Sequence, residues 1–459
     1  MENITIEACA AEGKALTHWN GVVVFVPFAV PGDVVDIRVT KKSKNYYEGF
    51  VERIVTPSKD RLEPFCQHFG VCGGCKWQPL PYPMQLEAKR QQVYDQLVRI
   101  GHLNVPEIRP TIPSDKIQYY RNKLEFTFSS KRWLLKDEDI ESVPENDRMG
   151  LGFHVGKFFD KVLDIKHCYL QKDPSNDIRL FIKKYAVENG LDFFDIRQNV
   201  GYVRNMFIRT TDTGDLMVIM CFFYENREDR EKMLDAIAEA FPQITSLYYI
   251  INNKLNDSIG DQECILYKGE PTIRETMESL TFRIGPKSFY QTNSEQAYKL
   301  YSVARDFAEL TGNEIVYDLY TGTGTIAQFV SGKAAKVIGI EYVPEAIEDA
   351  KVNAAGNGIT NCEFFAGDMK DVLRRDFINE HGQPDVIILD PPRAGIHPDV
   401  AKVILDASPA RMVYVSCNPA SQARDLALFA DKYDITAVQP VDMFPHTQHV
   451  ENVCALRLR

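Results

Sequence analysis

Ten cysteines are spread along the 459-residue chain, and their spacing suggests different uses. Cys66, Cys72 and Cys75 stand together as Cys-x5-Cys-Gly-Gly-Cys, three thiolates whose glycines permit the tight turns that aim ligands inward. Zinc and a 4Fe-4S cluster both suit such donors, and spacing alone does not separate them. Cys417 lies in Ser416-Cys417-Asn418-Pro419, directly after an apolar strand-like run. A thiol there is a possible nucleophile, although a lone cysteine at a strand end is commonly just a buried hydrophobe. Cys9, Cys221, Cys264, Cys362 and Cys454 mostly fall in apolar runs and read as small core residues. In a reducing compartment this pattern favours a metal site and a reactive thiol over disulfides.

Carboxylates recur at the ends of successive strand-like runs. The run Val316 to Tyr320 enters Thr321-Gly322-Thr323-Gly324-Thr325, a turn whose glycines let a ligand approach the backbone. Only two glycines are present, so a dinucleotide-binding reading is weak. Glu341 follows Gly322 by nineteen residues and ends the next run, where a carboxylate can accept both hydroxyls of a ribose. Asp368 ends the third run and Asp390 the fourth. Any one such acid is commonly a helix cap, but three in succession line the edge where parallel sheets bind ligands.

Together, Asp318 to Gly324, Ile340 to Ile347, Asp368 and Asp390-Pro391-Pro392-Arg393 resemble a class I methyltransferase domain. The last motif is similar to the Asn/Asp-Pro-Pro-aromatic motif of amino-group methyltransferases, with Arg393 where the aromatic would stack on the target base. Adding Ser288-Phe289-Tyr290-Gln291-Thr292-Asn293, Ser416 to Pro419 and Phe444 to Glu451, the whole chain resembles the RNA uracil-5-methyltransferase family. The resemblance includes an N-terminal barrel of the type called TRAM. The cysteine segment resembles the family's iron–sulfur branch, which acts on 23S ribosomal RNA.

The resemblance implies S-adenosylmethionine as methyl donor, Cys417 as nucleophile and Glu451 as base. It assigns Gln291, Tyr320, Glu341, Asp368 and Asp390 to the cofactor, with Thr325 a further candidate at a helix start. Cys168 becomes the fourth ligand, with Cys66, Cys72 and Cys75, of a 4Fe-4S cluster. The chemistry needs such parts. Carbon-5 of uracil is a poor nucleophile until a thiolate adds at carbon-6, and a base must later remove the carbon-5 proton.

The elements that would position these residues fall into three expected domains of an α/β chain. Residues 1–58 hold short β-rich runs (Gly21 to Phe28, Val34 to Val39, Tyr47 to Ile54) that predict a small OB-like barrel. Residues 59–290 contain the cysteines, a helical stretch Pro83 to Ile100, and a β-rich central domain with helices near 177–188 and 227–240. Residues 291–459 alternate five apolar strands with helices, which predicts a Rossmann-like, doubly wound sheet. The runs Ile435 to Val441 and Val453 to Leu458 could close it as an antiparallel pair.

Hydrophobic content of 44% and charged content of 25% are those of a globular protein, and no apolar stretch suggests a membrane span. No signal peptide is read at the start, and a cytoplasmic monomer is expected. Net charge is −11, which argues weakly against nucleic acid, yet residues 61–135 hold eleven Lys/Arg against six Asp/Glu. Lys41 to Tyr47 and Tyr119 to Lys123 interleave cations with aromatics, as phosphates and unstacked bases require. Alone, such segments could equally be solvated faces; the family resemblance implies RNA as the partner, 23S ribosomal RNA first, and not DNA. Rival readings are a transfer RNA enzyme and a non-catalytic RNA-binding ribosome-assembly factor. Family members acting on transfer RNA generally lack the barrel and the cysteine set.

Overall fold

The structure is a computed structural model that describes residues 1–135, 138–139, 141–156 and 158–459. The C-terminal sheet has seven strands: β1 (Ile315–Leu319), β2 (Lys336–Glu341), β3 (Cys362–Ala366), β4 (Val386–Leu389), β5 (Arg411–Ser416), β6 (Tyr433–Val441) and β7 (Glu451–Leu458). Their order is β3-β2-β1-β4-β5-β7-β6. All neighbouring pairs are parallel except those made by β7, which runs antiparallel to both β5 and β6. The predicted alternation of strands and helices and the closing antiparallel pair are both present.

These strands are near-continuous apolar runs because both faces are covered. Val316, Val337, Ile388, Val413 and Val453 point into one core, while Tyr317, Ile338, Ile387, Met412 and Cys454 point into the other. Strand order reverses between β1 and β4, so the crevice at their carboxyl ends is the place a sheet of this kind offers to a ligand.

A second seven-stranded sheet occupies the middle of the chain, with Leu216–Phe222 and Val203–Thr210 at its centre. Its side chains alternate between two cores. Met206, Ile208, Val218 and Met220 pack with helices Ser175–Glu188 and Arg227–Ala240. Phe207, Ile219 and Cys221 instead share a core with β1 and with helix Ser294–Ala308. The central sheet is thus fused to the methyltransferase-like sheet through buried apolar surface, the main favourable term in such packing.

At the N-terminus six strands enclose a small core of Ile4, Ile6, Ala15, Val24, Val26, Val35 and Ile37. Residues 4–9 pair with Val34–Lys42 at one edge and Lys14–Trp19 at the other, which closes the sheet on itself. Strands Ile4–Thr5, Ala8–Cys9 and Lys14–Trp19 were not expected, because two are only two residues long and the third is half polar. Helix Ser294–Ala308 was not expected either, although Asn293 caps it by accepting from Gln296 N at 3.3 Å and apolar residues recur at helical spacing. No helix among the described residues is long and apolar enough to cross a membrane.

Candidate active site

The turn after β1 is held open by backbone conformation. Tyr320, Gly322 and Gly324 have φ of 67°, 56° and 74°. A Cβ on Gly322 would meet nothing within 4 Å, whereas one on Gly324 would stand 2.9 Å from Ala350 Cβ and from Phe364. The first glycine therefore leaves space for a ligand, and the second admits close packing. Asp318, buried within β1, ties the turn to the helix that follows. It accepts from Thr321 Oγ1 at 2.5 Å and Ala327 N at 3.0 Å.

The expected cofactor residues gather around this turn. Glu341 accepts from Gly322 N at 3.1 Å and Val343 N at 3.0 Å, which pins its carboxylate beside the turn. Asp368 caps helix Met369–Val372 and pairs with Lys370 Nζ at 3.2 Å, and this lysine holds its carboxyl below the usual range. The Tyr320 phenol is pushed up to about 12 by burial and by the charges of Asp425, Asp368 and Glu341. Gln291 is a hydrogen-bond partner of Tyr301, whose phenol is raised by burial and by the Asp390 carboxylate. Gln291 and Asp390, 99 residues apart in sequence, thus both act on the Tyr301 phenol. Thr325 is buried at the first position of helix Thr325–Ser331, its hydroxyl 3.3 Å from that of Thr323.

Cys417 and Glu451 meet at the end of a strand ladder. Ser416 on β5 pairs with Asn452 on β7, the last registered pair, so continuing the antiparallel register brings Cys417, the next residue along β5, opposite Glu451, the residue before Asn452. The Cys417 thiol is half-buried and pushed up to about 11, first by burial and then by the Glu451 and Asp390 carboxylates. Glu451 is buried and raised to about 8, by burial and by Asp390. Asp390 is itself raised to about 7 by burial and Asp318.

Arg393 opposes these shifts, since its charge lowers both Cys417 and Glu451. Sequence reasoning noted this arginine only as a departure from an aromatic motif. The loop bearing it is gripped by the helix after Cys417. Asn418 Nδ2 donates to Arg393 O at 3.0 Å, Arg424 Nη2 to Ala394 O at 2.7 Å, and Asp425 accepts from Ile396 N at 2.9 Å. Cys417, Glu451 and Asp390 thus all have raised pKa values, and the Arg393 charge acts on the first two.

A separate cavity of about 680 Å³ is lined by Cys66, Cys72, Cys75 and Cys168. Burial raises all four thiols, Cys72 to about 12 and Cys168 to about 11. The expected tetrad is brought to one chamber, but not as a closed cage. Among the described residues, no three His, Cys, Asp or Glu side chains form a group that could hold a metal ion as placed. The chamber also reaches Thr447 and His449, on the loop leading to Glu451.

Residues 209–459, the methyltransferase-like sheet together with part of the central one, match the family described as tRNA (Uracil-5-)-methyltransferase. The chain belongs to the tRNA (uracil-5-)-methyltransferase family. Residues 2–51 match the TRAM domain. A Porphyromonas gingivalis protein named as an uncharacterized RNA methyltransferase is 59% identical over 97% of this chain and 98% of its own length. A Bacteroides thetaiotaomicron protein of the same description is 58% identical over 98% of this chain and all of its own. Among solved structures, Pyrococcus abyssi tRNA (uracil-54, C5)-methyltransferase in complex with S-adenosyl-L-homocysteine superposes with a TM-score of 0.76. That structure is 29% identical and covers 99% of this chain and 100% of its own.

As a tRNA (uracil-5-)-methyltransferase family member, this protein is an S-adenosylmethionine-dependent RNA methyltransferase acting at carbon-5 of uracil. One expectation is weakened. The Pyrococcus tRNA methyltransferase matches this chain over nearly its full length, so this whole architecture is not confined to enzymes of ribosomal RNA.

Proposed function

We propose that Cys417 adds as a thiolate to carbon-6 of a uridine, and that the resulting enolate attacks the methyl group of S-adenosylmethionine through carbon-5. Glu451 then takes the carbon-5 proton, and the released electron pair expels the thiolate. One observation supports this reading: the antiparallel β5–β7 ladder ends at Ser416 and Asn452, adjoining Cys417 and Glu451, and the Glu451 and Asp390 charges both act on the Cys417 thiol. Arg393 supplies the positive charge that favours the thiolate.

Glu341 accepts the ribose hydroxyls, and Gln291, Tyr320, Thr325, Asp368 and Asp390 complete the cofactor site. We read residues 1–58 as the RNA-binding barrel, 59–290 as the central domain and 291–459 as the catalytic domain. RNA containing 5-fluorouridine tests the mechanism, because fluorine cannot leave as a proton does. A covalent complex that needs both Cys417 and the cofactor is expected, and its absence would sink the reading.

For the substrate we favour 23S ribosomal RNA, on the family resemblance of the cysteine segment. Transfer RNA is the second reading, supported by the Pyrococcus likeness. Methyl transfer to each purified RNA, followed by mapping of 5-methyluridine, decides between them.

Cys66, Cys72, Cys75 and Cys168 would hold a 4Fe-4S cluster, since four thiols facing one largely apolar chamber are a suitable donor set. The methyl transfer needs no redox step, so the cluster would brace the fold. Anaerobically purified protein is expected to be brown with about four irons per chain. Colourless protein containing zinc would overturn this part.

A further inference from the structure

Helix Tyr82–Tyr94 follows the cysteine segment, and its buried positions are Gln85, Lys89 and Val93. A fully buried lysine is rare unless paired. Here Lys89 forms an ion pair with Asp442 in which both side chains are inaccessible to solvent. Lys89 Nζ also donates to Phe444 O at 3.1 Å. Asp442 further accepts from Tyr82 OH at 2.9 Å and from Phe444 N at 3.0 Å. Gln85 Oε1 accepts from His446 N at 2.8 Å, and Gln85 Nε2 lies 3.2 Å from His446 Nδ1. Tyr82, Gln85 and Lys89 recur every three or four residues, so one polar helix face is directed at residues 442–446.

That segment belongs to the connection between β6 and β7, which ends at Glu451. It has little regular structure to hold it, and His446 has a φ of 64°. Lys76 N and Trp77 N donate to His446 O at 2.8 and 3.0 Å, and Tyr120 OH donates to Pro445 O at 3.0 Å. An apolar pair could glue the helix to the loop at less desolvation cost than Lys89 and Asp442. What a directional ion pair adds is a single register for the loop.

We infer that Lys89, assisted by Tyr82 and Gln85, is a positioning residue that sets the Glu451 carboxylate over the uracil. The inference rests on the reading of Glu451 as the base. It predicts which step suffers. Proton removal follows methyl transfer, so a displaced base stalls the reaction as a methylated, covalently bound RNA.

The test uses the full chain with S-adenosylmethionine and a uridine-containing RNA substrate, comparing Lys89→Met, Tyr82→Phe and Glu451→Gln. Glu451→Gln should accumulate covalent RNA–protein complex on a denaturing gel. Lys89→Met should do the same, with methyl transfer in the first turnover within about 3-fold of the parent and steady turnover reduced about 10-fold or more. Tyr82→Phe keeps the ring and the fold, and should shift the same ratio by a smaller factor. If Glu451→Gln traps nothing, the base assignment fails. If it traps complex while Tyr82→Phe and a folded Lys89→Met do not, with first-turnover and steady rates falling together, the positioning role is wrong. Should Lys89→Met not fold, Tyr82→Phe alone decides.

Discussion

The Asp390 carboxylate raises the pKa of Glu451, although one follows β4 and the other begins β7. Both lie at the same edge of the sheet because β5, between them, is parallel to β4 and antiparallel to β7. A neighbouring carboxylate in a dry site disfavours ionisation, so Asp390 adds to the burial that keeps the Glu451 proton on to a higher pH. Asp390 itself is raised by burial and by Asp318.

The first prediction concerns stability. Glu451 has an ordinary value of 4.5 and a folded value of about 8. Between these the native chain holds a proton that the unfolded chain has released, so this group makes stability fall as pH rises through the window. Glu451→Gln removes the penalty. Its melting temperature should exceed the parent's at pH 8, by a free energy of at most about 4 kcal/mol, and converge with it near pH 4. Thermal melts at both pH values check this.

Activity should follow the opposite sign. A base must be ionised, so kcat, which includes proton removal, is expected to climb toward pH 8 as Glu451 loses its proton. The Cys417 thiol, at about 11, extends the rise further. A flat profile between pH 6 and 9 would count against both assignments.

Removing the nucleophile should separate chemistry from binding. Cys417→Ala deletes one half-buried sulfur at a strand end and should leave the melt within about 1 kcal/mol of the parent. Methylation should fall by about 10⁴-fold or more, with cofactor affinity retained. Equilibrium binding and methyl incorporation together give the answer.

Glu341→Gln should weaken the cofactor about 10- to 100-fold, because an amide can accept with only one oxygen where the carboxylate now serves two backbone N–H groups and would also bind the ribose. First-turnover methylation at saturating cofactor should change less than the apparent affinity does. Isothermal titration reads the first quantity directly.

The two glycines of the turn should respond unequally. Gly322→Ala meets only the cost of positive φ, about 1 kcal/mol. Gly324→Ala adds a 2.9 Å contact with Ala350 and Phe364 and should lower stability further. Chemical denaturation of both variants measures the difference.

Much of the chemistry was legible in local sequence. The five parallel strands show as apolar runs because burial on both faces demands it, and Glu341, Asp368 and Asp390 show as acids where those runs stop. Helix Ser294–Ala308 is also marked locally, through its Asn293 cap and apolar residues at helical spacing. Helix Tyr82–Tyr94 is different. A helical stretch from Pro83 is expected there, but no hydrophobic pattern can reveal that its buried positions include Gln85 and Lys89 beside Val93. The partners of Gln85 and Lys89 in residues 442–446 lie more than 350 residues away.

By itself, then, the chain's sequence determined where strands, turns and helices form and which residue types stand at their ends, because those depend on neighbours a few positions apart. Only the tertiary structure decided that Glu451 faces Cys417, because that follows from β7 inserting antiparallel beside β5. The same holds for the four cysteines, which one chamber collects from segments nearly a hundred residues apart. Contacts of that range are selected by how whole sheets and helices bury their faces together, and no short stretch of residues encodes them.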